Sequence, residues 1–533
     1  MSSDPNAPVP YDYVVVGAGS AGCVLAARLS EDPGVRVALV EAGGPDDAQE
    51  LHVPVAFGSL FKSGYDWDFS SEAEPGLDGR HVYLPRGLVV GGSSSTNAMI
   101  YIRGNAADYD GWAADGADGW SADDVLPYFR RSEANERGAD DHHGADGPLA
   151  VSDSRSNHPV TEAFVRAAEA AGHPRNPDFN GPRQDGFGAL QVTQRAGLRC
   201  SAAAAFLHPV LHRENLELIS RTRVLRILLE GDRAVGVAVE RHGERLELRA
   251  EREVVLSAGA YGSPTLLMQS GIGPAEHLTG LGIPVRADLP VGDELQDHVC
   301  ALLNFGSRIP TLETAFSPEA LSQLEREGRG PLTSNVAEGA GFVRSRPGLP
   351  APDLQFHVAA VGFSDEGLTP PTGPAFAFGP CVVKPTSRGS VRLRSADPYA
   401  KPRIVNNHLT TDEDRAAMVA GLRIALEIAR QEPLAEISTG CIVGPDRDDD
   451  EGLIAFARRT GWGLYHPTST CGIGRVVDPR LRVRGIDGLR VVDASVMPTV
   501  TRGNTNAPTL MIAERAADLI REDALSISGV ATA

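Results

Sequence analysis

The most specific chemical pattern in the chain is a run of glycines near its start. Gly17, Gly19 and Gly22 form a G-x-G-x-x-G fingerprint, and Glu41 follows about 20 residues later. In this motif the first glycine allows a tight turn, the second lets the backbone approach a pyrophosphate, and the third permits close helix–strand packing. A carboxylate at the end of the next strand accepts hydrogen bonds from both ribose hydroxyls. The spacing therefore predicts a site for an ADP-containing dinucleotide, with FAD and NAD both open.

The elements around this motif are those that a dinucleotide site requires. Residues 13–16 are a continuous apolar run, which is typical of a strand buried on both faces. Residues 21–29 predict a helix, whose N-terminus supplies amide donors and a positive dipole. A second strand is predicted over 35–40 and ends at Glu41. We expect these two strands to be parallel and joined by a right-handed crossover.

Composition excludes several classes of function. The 533 residues are 42% hydrophobic and 23% charged, which argues against disorder. The length predicts about two to four domains, or fewer large ones. Because 50 basic residues face 70 acidic ones, the net charge of −20 repels nucleic acid and anionic lipid. The six cysteines are scattered, and neither a secretory signal nor an apolar run of about 18 residues is visible. We expect a soluble, cytoplasmic protein without a metal, nucleic-acid or membrane-spanning site.

Further along the chain, short apolar runs alternate with irregular stretches. A Ser-x-x-Asp capping box predicts a helix over 121–133. Periodicity predicts other helices over 160–171, 412–431 and 508–519, and strands over 215–227, 234–241, 254–257 and 489–492. Residues 310–350 are rich in Gly, Pro, Ser and charge, and predict irregular surface or a lid.

Four further motifs follow the fingerprint in order. They are LPRGLVVGGSSSTN at 84–97, SAGAYGSPTLLM with SGIGP at 257–274, DELQDH at 293–298 and LRVVDAS at 489–495. Together with the fingerprint they resemble the glucose–methanol–choline (GMC) flavoprotein oxidoreductases, from about residue 11 to 520. One departure is Glu294, which stands where the family has asparagine.

The resemblance implies a fold and a division into domains. The fold would be α/β, with a Rossmann-like FAD-binding domain and a discontinuous α+β substrate domain built on an antiparallel sheet. The FAD-binding domain would comprise residues 11–160, 215–300 and 460–520. The substrate-binding domain would comprise residues 160–215 and 300–460.

The resemblance also implies contacts with FAD. Thr96 stands where choline oxidases carry a histidine that bonds covalently to the flavin, and threonine cannot form that bond, so noncovalent FAD is expected. The residues expected to bind FAD are Gly17, Gly19, Ser20, Ala21, Gly22, Glu41, Ala42, Val89, Gly91, Gly92, Ser94, Asn97, Val224, Asp493, Ala494 and Asn506.

A base for alcohol oxidation is implied near the end of the chain. Removing the hydroxyl proton needs a group with a pKa near neutral, and histidine fits best. The segment YHPTSTCGIG at 465–474 resembles the family element His-Pro-x-Gly-Thr-x-x-Met-Gly and so implies His466 as the base. Asn504 stands where the family has a second catalytic histidine or asparagine, and its amide would donate to the alkoxide. Ser469 and Ile473 depart from the family pattern.

Two residues are candidates for contact with the substrate. His357 lies in a segment that resembles a substrate-domain strand of choline-oxidising relatives, although an ordinary place in the core or surface is equally open. Tyr465 is a candidate for an aromatic cage around a quaternary ammonium group. Choline and uncharged aliphatic, aromatic or sugar-like alcohols are all allowed.

The favoured function is FAD-dependent oxidation of a primary alcohol to an aldehyde, with reoxidation by dioxygen or a quinone-type acceptor. Alternatives are a choline-specific dehydrogenase, a lyase acting on a cyanohydrin, a light-driven decarboxylase, and a nucleotide-binding module without chemistry. The decarboxylase branch has cysteine where this chain has Ala337, and it lacks a histidine at the position of His466, so both residues speak for alcohol oxidation. The residues do not indicate an oligomeric state.

Overall fold

The apolar runs of the sequence form strands and its amphipathic runs form helices in the computed structural model, which describes residues 10–369 and 372–530. The elements up to residue 256 are, in chain order, β1 (Tyr11–Val16), α1 (Ser20–Leu29), β2 (Val37–Val40), α2 (Gln49–His52), β3 (Phe69–Ser70), β4 (Tyr83–Leu84), α3 (Ala106–Ala114), α4 (Ala122–Ser132), β5 (Glu133–Asn135), β6 (Leu149–Asp153), α5 (Pro159–Ala170), β7 (Gly186–Ala189), β8 (Gln191–Val192), β9 (Gln194–Arg195), β10 (Leu198–Arg199), β11 (Leu216–Ile219), β12 (Thr222–Glu230), β13 (Arg233–Arg241) and β14 (Glu244–Leu256).

The second part of the chain continues this alternation. Its elements are α6 (Gly259–Gln269), α7 (Ala275–Gly280), β15 (Asp293–Leu295), β16 (Val299–Cys300), β17 (Leu303–Ser307), α8 (Pro318–Glu327), β18 (Gly339–Val343), β19 (Leu354–Ala359), β20 (Ala375–Val382), β21 (Gly389–Arg392), β22 (Arg403–Val405), α9 (Asp412–Ala429), α10 (Glu432–Ala435), β23 (Ser438–Val443), α11 (Asp450–Thr460), β24 (Trp462–Gly463), β25 (Leu489–Val491) and α12 (Asn506–Val530). Among the described residues, no helix is long and apolar enough to cross a membrane.

The first sheet has the strand order β11-β2-β1-β14-β13-β12, with β25 paired to β14. β2, β1, the end of β14 and β25 are parallel, and Val14 pairs with Ala38 on one side and Val254 on the other. The β1–α1–β2 crossover expected from the fingerprint is therefore present. Since parallel strands point the same way, the ends of β1, β2 and β25 meet at one edge of the sheet, where an α/β fold binds its ligands.

The second sheet is antiparallel and has the strand order β23-β17-β20-β19-β18-β7. Phenylalanines on its strands pack against each other and against α5, which buries the back of the sheet; examples are Phe164 against Phe378 at 5.3 Å and Phe187 against Phe356 at 5.5 Å between ring centroids. This is the mixed α/β architecture that the resemblance implied.

Two short strands of the second sheet, β16 and β24, bring two distant parts of the chain together, and β16 also pairs with β20. β16 pairs with β24 in antiparallel register, so that Val299 lies opposite Gly463 and Cys300 opposite Trp462. Because His298 precedes β16 and His466 follows β24, this pairing places the two histidines side by side. The local pairing thus sets the geometry of the site described below.

Two sequence predictions are corrected by the structure. The strand predicted over 215–227 is two strands, β11 and β12, because Arg221 takes a left-handed conformation (φ 52°) and turns the chain between them. Residues 310–350 are not irregular throughout. They contain α8 and the fully buried strand β18, whose glycines lowered the apparent strand propensity of the segment.

Candidate active site

A cavity of about 460 Å³ lies between the carboxyl edge of the first sheet and the face of the second. It is lined by residues at the ends of β1 and β2 and by residues of β19. Most of the residues predicted from the sequence line this cavity. They are Gly17, Gly19, Ser20, Ala21, Glu41, Ala42, Gly92, Asn97, Val224, His357, Tyr465, His466, Asp493, Ala494, Asn504 and Asn506.

The part of the cavity formed by Gly19, Ser20, Glu41 and Val224 is called the dinucleotide end. At this end, Oε2 of Glu41 accepts a hydrogen bond from the amide of Ala18 at 2.8 Å and Oε1 accepts one from the amide of Gly43 at 2.8 Å. Burial nevertheless raises the pKa of this carboxyl to about 7. A ligand that donates hydroxyl groups to the free lone pairs of Glu41 favours the charged form, and a ribose does so.

The N-terminus of α1 opens onto the same end. Gly19 precedes the helix, and no side chain among the described residues caps it. A Cβ on Gly92 would lie 2.7 Å from Cα of Gly19, so only glycine allows these two segments to approach each other so closely. Uncapped amide groups at a helix start form a binding site for phosphate.

The middle of the cavity carries Asp493 and Ser257. Asp493 follows β25 and accepts hydrogen bonds from the amide of Gly259 at 2.9 Å and the hydroxyl of Ser263 at 2.6 Å. The hydroxyl of Ser257 is buried without a hydrogen-bond partner among the described residues. A buried hydroxyl that faces a cavity indicates a polar ligand there.

His466, Asn504, His298 and Gln355 form the base end of the site. The ring of His466 is held on both nitrogens: Nδ1 lies 2.9 Å from Nδ1 of His298, and Nε2 lies 3.2 Å from Nδ2 of Asn504. The amide of Asn504 is itself oriented by Gln355, whose Nε2 donates to Oδ1 of Asn504 at 3.2 Å. The backbone amide of His466 donates to Oδ1 of Asp297 at 2.7 Å. His466 is thus fixed at its backbone and at both ring nitrogens.

These contacts define the proton positions on His466. Because Oδ1 of Asn504 accepts from Gln355, its Nδ2 faces His466 and can only donate, so Nε2 of His466 accepts. A neutral imidazole has one proton, which then lies on Nδ1 and is donated to Nδ1 of His298. The lone pair on Nε2, which accepts from Asn504 at the cavity wall, is therefore the one that can take a proton, as a general base requires.

Burial keeps the histidines of the base end neutral. It lowers the pKa of His466 well below its ordinary value, and nearby His298, His357 and Arg86 lower it further. Burial also lowers the pKa of His298 to about 3 and that of His357 to about 4. The imidazole of His466 is therefore in the form that can accept a proton.

His357 and Tyr465 both line the cavity but differ in their contacts. Nε2 of His357, on β19, has no hydrogen-bond partner among the described residues and is buried. The hydroxyl of Tyr465 donates to the carbonyl of Glu366 at 2.9 Å, while its ring packs edge-on against Phe61 at 5.9 Å. His357 thus offers a polar group to a ligand, whereas Tyr465 offers an aromatic surface.

Comparison with known proteins decides the family. Two family models match this chain, and both describe a GMC oxidoreductase: the N-terminal model over residues 11–300 and the C-terminal model over residues 385–513. The chain belongs to the GMC oxidoreductase family. The resemblance stated from the five motifs is therefore confirmed.

Two named relatives of this GMC oxidoreductase are a choline dehydrogenase and an alcohol dehydrogenase. Human mitochondrial choline dehydrogenase is 45% identical over 96% of this chain and 90% of its own length. An alcohol dehydrogenase (acceptor) of Pseudomonas putida is 42% identical over 96% of this chain and 95% of its own. Among solved structures, a formate oxidase variant of Aspergillus oryzae studied for its FAD modification has a TM-score of 0.91 and 28% identity, covering 97% of this chain and 99% of that one. The enzyme class and the FAD cofactor follow.

The cavity fits FAD by its own chemistry. A helix start without a side-chain cap is suited to bind the pyrophosphate, and the carboxylate of Glu41 is suited to bind a ribose. The hydroxyl of Ser257, which has no partner among the described residues, can form a hydrogen bond with a polar group of the ligand. Among the described residues, no cluster of acidic, histidine or cysteine side chains could hold a metal ion.

Four residues predicted to contact FAD do not line the cavity. A Cβ on Gly22 would lie 1.8 Å from the carbonyl oxygen of Gly17, so Gly22 serves helix–turn packing. Val89 is fully buried and packs against Leu51 and Leu60. Gly91 donates its amide to Ala18 at 2.7 Å, and Ser94 donates its hydroxyl to Gly91 at 2.6 Å. These residues support the cavity wall from behind because the signature folds back on itself as a tight turn.

Two residues of the base end, His298 and Gln355, and the neighbouring Asp297 were not predicted as site residues. His298 and Asp297 belong to the DELQDH motif, which was recognised without a role for its side chains. Gln355 precedes His357 by two positions on β19, so both side chains point to the same face of the sheet. That alternation was the one signal in the sequence that linked Gln355 to the site.

The two departures from the family pattern have different places in the structure. Ser469 has a φ of 75°, in the left-handed region that favours glycine, which explains why glycine is usual at this position. Ile473 is buried, and its amide donates to the carbonyl of Val496 at 2.9 Å. Neither residue lines the cavity.

Proposed function

We propose that this GMC oxidoreductase oxidises a primary alcohol to an aldehyde, with His466 as the base and Asn504 as the hydrogen-bond donor to the substrate oxygen. The observation that carries this proposal is the contact of 3.2 Å between Nδ2 of Asn504 and Nε2 of His466 at the cavity wall. An acceptor and a donor side by side are what an alcohol oxygen needs when it loses its proton.

The steps assigned to the chain follow from that pair. A substrate hydroxyl that replaces the direct hydrogen bond between the two groups donates to Nε2 of His466 and accepts from the amide of Asn504. As the proton moves to Nε2, the developing negative charge on oxygen is stabilised by the amide. FAD, when bound, supplies the acceptor for the hydride of the alcohol carbon.

The surrounding residues keep the base in one tautomer. The proton on Nδ1 of His466 is committed to His298, and the amide of Asn504 is committed to Gln355 on its oxygen side. Rotation of either group would break one of these bonds in a buried site, which is costly. We therefore propose that His298 and Gln355 are positioning residues for the base pair.

The remaining assignments belong to the same proposal. FAD is held noncovalently at the dinucleotide end and along Asp493, Ala494 and Asn506. His357 and Tyr465 contact the substrate. The FAD-binding domain is formed by residues 11–160, 215–300 and 460–520, the other residues of 160–460 form the substrate-binding domain, and the reduced enzyme is reoxidised by dioxygen or a quinone-type acceptor.

Anaerobic reduction tests this proposal. The FAD-loaded protein is mixed without oxygen with a panel of primary alcohols, and the loss of the yellow flavin absorbance is followed in time. The matched controls are the methyl ethers of the same alcohols, which have no hydroxyl proton for His466 to take.

Alcohols are expected to bleach the flavin and release the aldehyde, more slowly when deuterium replaces hydrogen on the carbinol carbon, while the ethers leave the colour unchanged. Bleaching by ethers, or no bleaching by any alcohol, would overturn the proposal. Admitting air or a soluble quinone to the bleached enzyme then identifies the acceptor, because dioxygen yields peroxide.

A further inference from the structure

Next to the polar side chains of Asn504 and His357, the wall of the cavity near His466 has an apolar part. Its residues are Leu302, Val336, Ala359, Phe363, Trp462 and Leu464, and are called the substrate chamber. Trp462 and Leu464 precede His466 in the chain, and Leu302 follows β16, which pairs with β24. Ala359 ends β19, and the next residue donates its amide to the carbonyl of Val336 at 3.4 Å. Trp462 stacks on Phe363 with 5.6 Å between ring centroids, which makes one side of the chamber aromatic.

The carboxylates that line the cavity are all engaged elsewhere. Among the described residues these are Glu41, Asp66 and Asp493. Glu41 and Asp493 are bound to backbone amides at the dinucleotide end and in the middle of the cavity. Asp66 accepts from the amides of Lys62 at 3.1 Å and Arg86 at 2.9 Å, and from the hydroxyl of Tyr83. None of these carboxylates belongs to the substrate chamber, and each is held in place by hydrogen bonds to backbone amides.

The charged group that does reach the base end is a cation. The guanidinium of Arg86 donates to the carbonyl of Tyr465 at 2.6 Å and contributes to the low pKa of His466. Behind the wall, Asp297 is bound to the amide of His466, and burial raises the pKa of its carboxyl to about 7, which weakens its negative charge near neutral pH. The local field therefore opposes a second positive charge.

Aromatic rings alone do not compensate for this field. A quaternary ammonium group gains a modest cation–π attraction from Trp462, Phe363 and Tyr465. Against it stands the loss of hydration of a cation that finds no carboxylate partner, which is the larger effect in a buried site. A neutral group of the same shape keeps the contacts with the rings and the aliphatic side chains, and it has no charge whose hydration is lost on binding.

We propose that the substrate chamber selects uncharged alcohols with an apolar branched or aromatic group and rejects quaternary ammonium alcohols such as choline. This proposal rests on the proposed function, since it names the substrate class of the same site. It implies that the substrate specificity of this chain differs from that of the relatives that are named choline dehydrogenases.

A pair of isosteres tests the proposal directly. Neohexyl alcohol has a carbon atom where choline has its nitrogen, so the two alcohols differ in charge and hardly in shape. With the FAD-loaded enzyme, kcat/KM is expected to favour neohexyl alcohol by about 100-fold or more. Equal values, or a preference for choline, would overturn the proposal.

A binding measurement distinguishes failure of this proposal from failure of the proposed function. In the FAD-loaded His466→Ala variant, dissociation constants are measured from the perturbation of the flavin spectrum, and neohexyl alcohol is expected to bind more tightly than choline. If no alcohol reduces the wild-type enzyme, the proposed function fails while this binding ratio still decides the substrate class. Tighter binding of choline would reject the class.

A substitution of Arg86 provides a second test of the proposal. The Arg86→Met variant removes the guanidinium and is expected to narrow the preference for neohexyl alcohol by about tenfold, because a repulsive charge is lost. The matched control is Arg430→Met, which removes an exposed arginine that pairs with Asp448 at the surface and leaves the preference unchanged. If Arg86→Met does not fold, the wild-type ratio still stands as the test. An unchanged ratio in folded Arg86→Met would remove Arg86 from the argument for charge selection and contradict that part of the proposal.

Discussion

The two ends of the cavity are built in different ways. The dinucleotide end comes mainly from one continuous stretch, β1–α1–β2, to which β12 adds Val224, and it offers mainly backbone amides and a single carboxylate from Glu41. The base end comes from side chains that are far apart in the chain. His298 and His466 are separated by 168 positions, and Gln355 and Asn504 by 149.

This difference teaches which changes each end tolerates. Backbone amides at a helix start are present whatever the side chains are, so the dinucleotide end depends on glycines for space and on Glu41 for charge. At the base end every functional atom belongs to a side chain that is oriented by another side chain. We therefore expect substitutions there to change the rate of chemistry and leave FAD in place.

The largest effect that is confined to the base end is expected from His466→Ala. Loss of the base should slow anaerobic flavin reduction by roughly 10² to 10⁴-fold, while the FAD content of the purified protein stays unchanged. The matched control is His212→Ala, because His212 is exposed at the surface. Loss of FAD in His466→Ala would break the comparison, since it would make the base part of the cofactor site.

Glu41→Gln is expected to have the opposite result, because it should weaken the binding of FAD and leave the rate of chemistry unchanged. The amide of glutamine brings its own donor toward the backbone amides of Ala18 and Gly43, and it loses the charge that binds the ribose. The dissociation constant of FAD should rise about 10- to 100-fold, as measured by equilibrium titration of the apoprotein. The rate of reduction of the FAD-loaded fraction should not change. Glu251→Gln, at an exposed position on β14, is the control that should alter neither quantity.

A smaller effect is expected from His298, which does not line the cavity. His298→Leu removes the acceptor for the Nδ1 proton of His466 and should lower kcat by about tenfold, the equivalent of one hydrogen bond, with little change in KM. His298→Gln keeps an acceptor at this position and should recover part of the loss. A KM effect without a kcat effect, or no recovery in the glutamine variant, would argue that His298 only fills space.

The smallest effect is expected from pH. Because burial lowers the pKa of His466 well below 6.5, the neutral base prevails at and above pH 6.5 and is lost only when the pH falls through the lowered pKa. The value of kcat/KM for a neutral alcohol should therefore stay level as the pH is lowered to 6.5 and fall only in more acidic buffer. A loss of activity centred above pH 6.5 would show that His466 is more easily protonated than its burial implies.

The sequence predicted the dinucleotide end more completely than the base end. The glycine fingerprint, the helix that follows and Glu41 lie within one supersecondary unit, so their spacing along the chain is also their spacing in space. The capping box at Ser121 likewise predicted α4, which the structure confirms over Ala122–Ser132. Local patterns of this kind are readable because the interactions that they represent are local.

The contacts of the base end were not readable in the same way. That His298 meets His466 depends on the pairing of β16 with β24, two strands of two residues each, and no local pattern predicts which short strands will pair. The first signature was recognised as a motif, and in the structure its Val89, Gly91 and Ser94 are not among the residues that line the cavity. A recognised motif indicated which part of the chain lies near the cavity. Which of its side chains line the cavity could be determined only from the three-dimensional structure.

A double-mutant cycle on His466 and Asn504 tests the central claim, which is that the two side chains act as a unit on one hydroxyl. Anaerobic reduction rates by the same neutral alcohol are measured for His466→Ala, Asn504→Ala and the double variant, each loaded with FAD. If the pair acts together, the second substitution should add little to the first, and the loss in the double variant should be far below the product of the single losses. Losses that simply multiply would mean that His466 and Asn504 act independently, and the account of the base end would be contradicted.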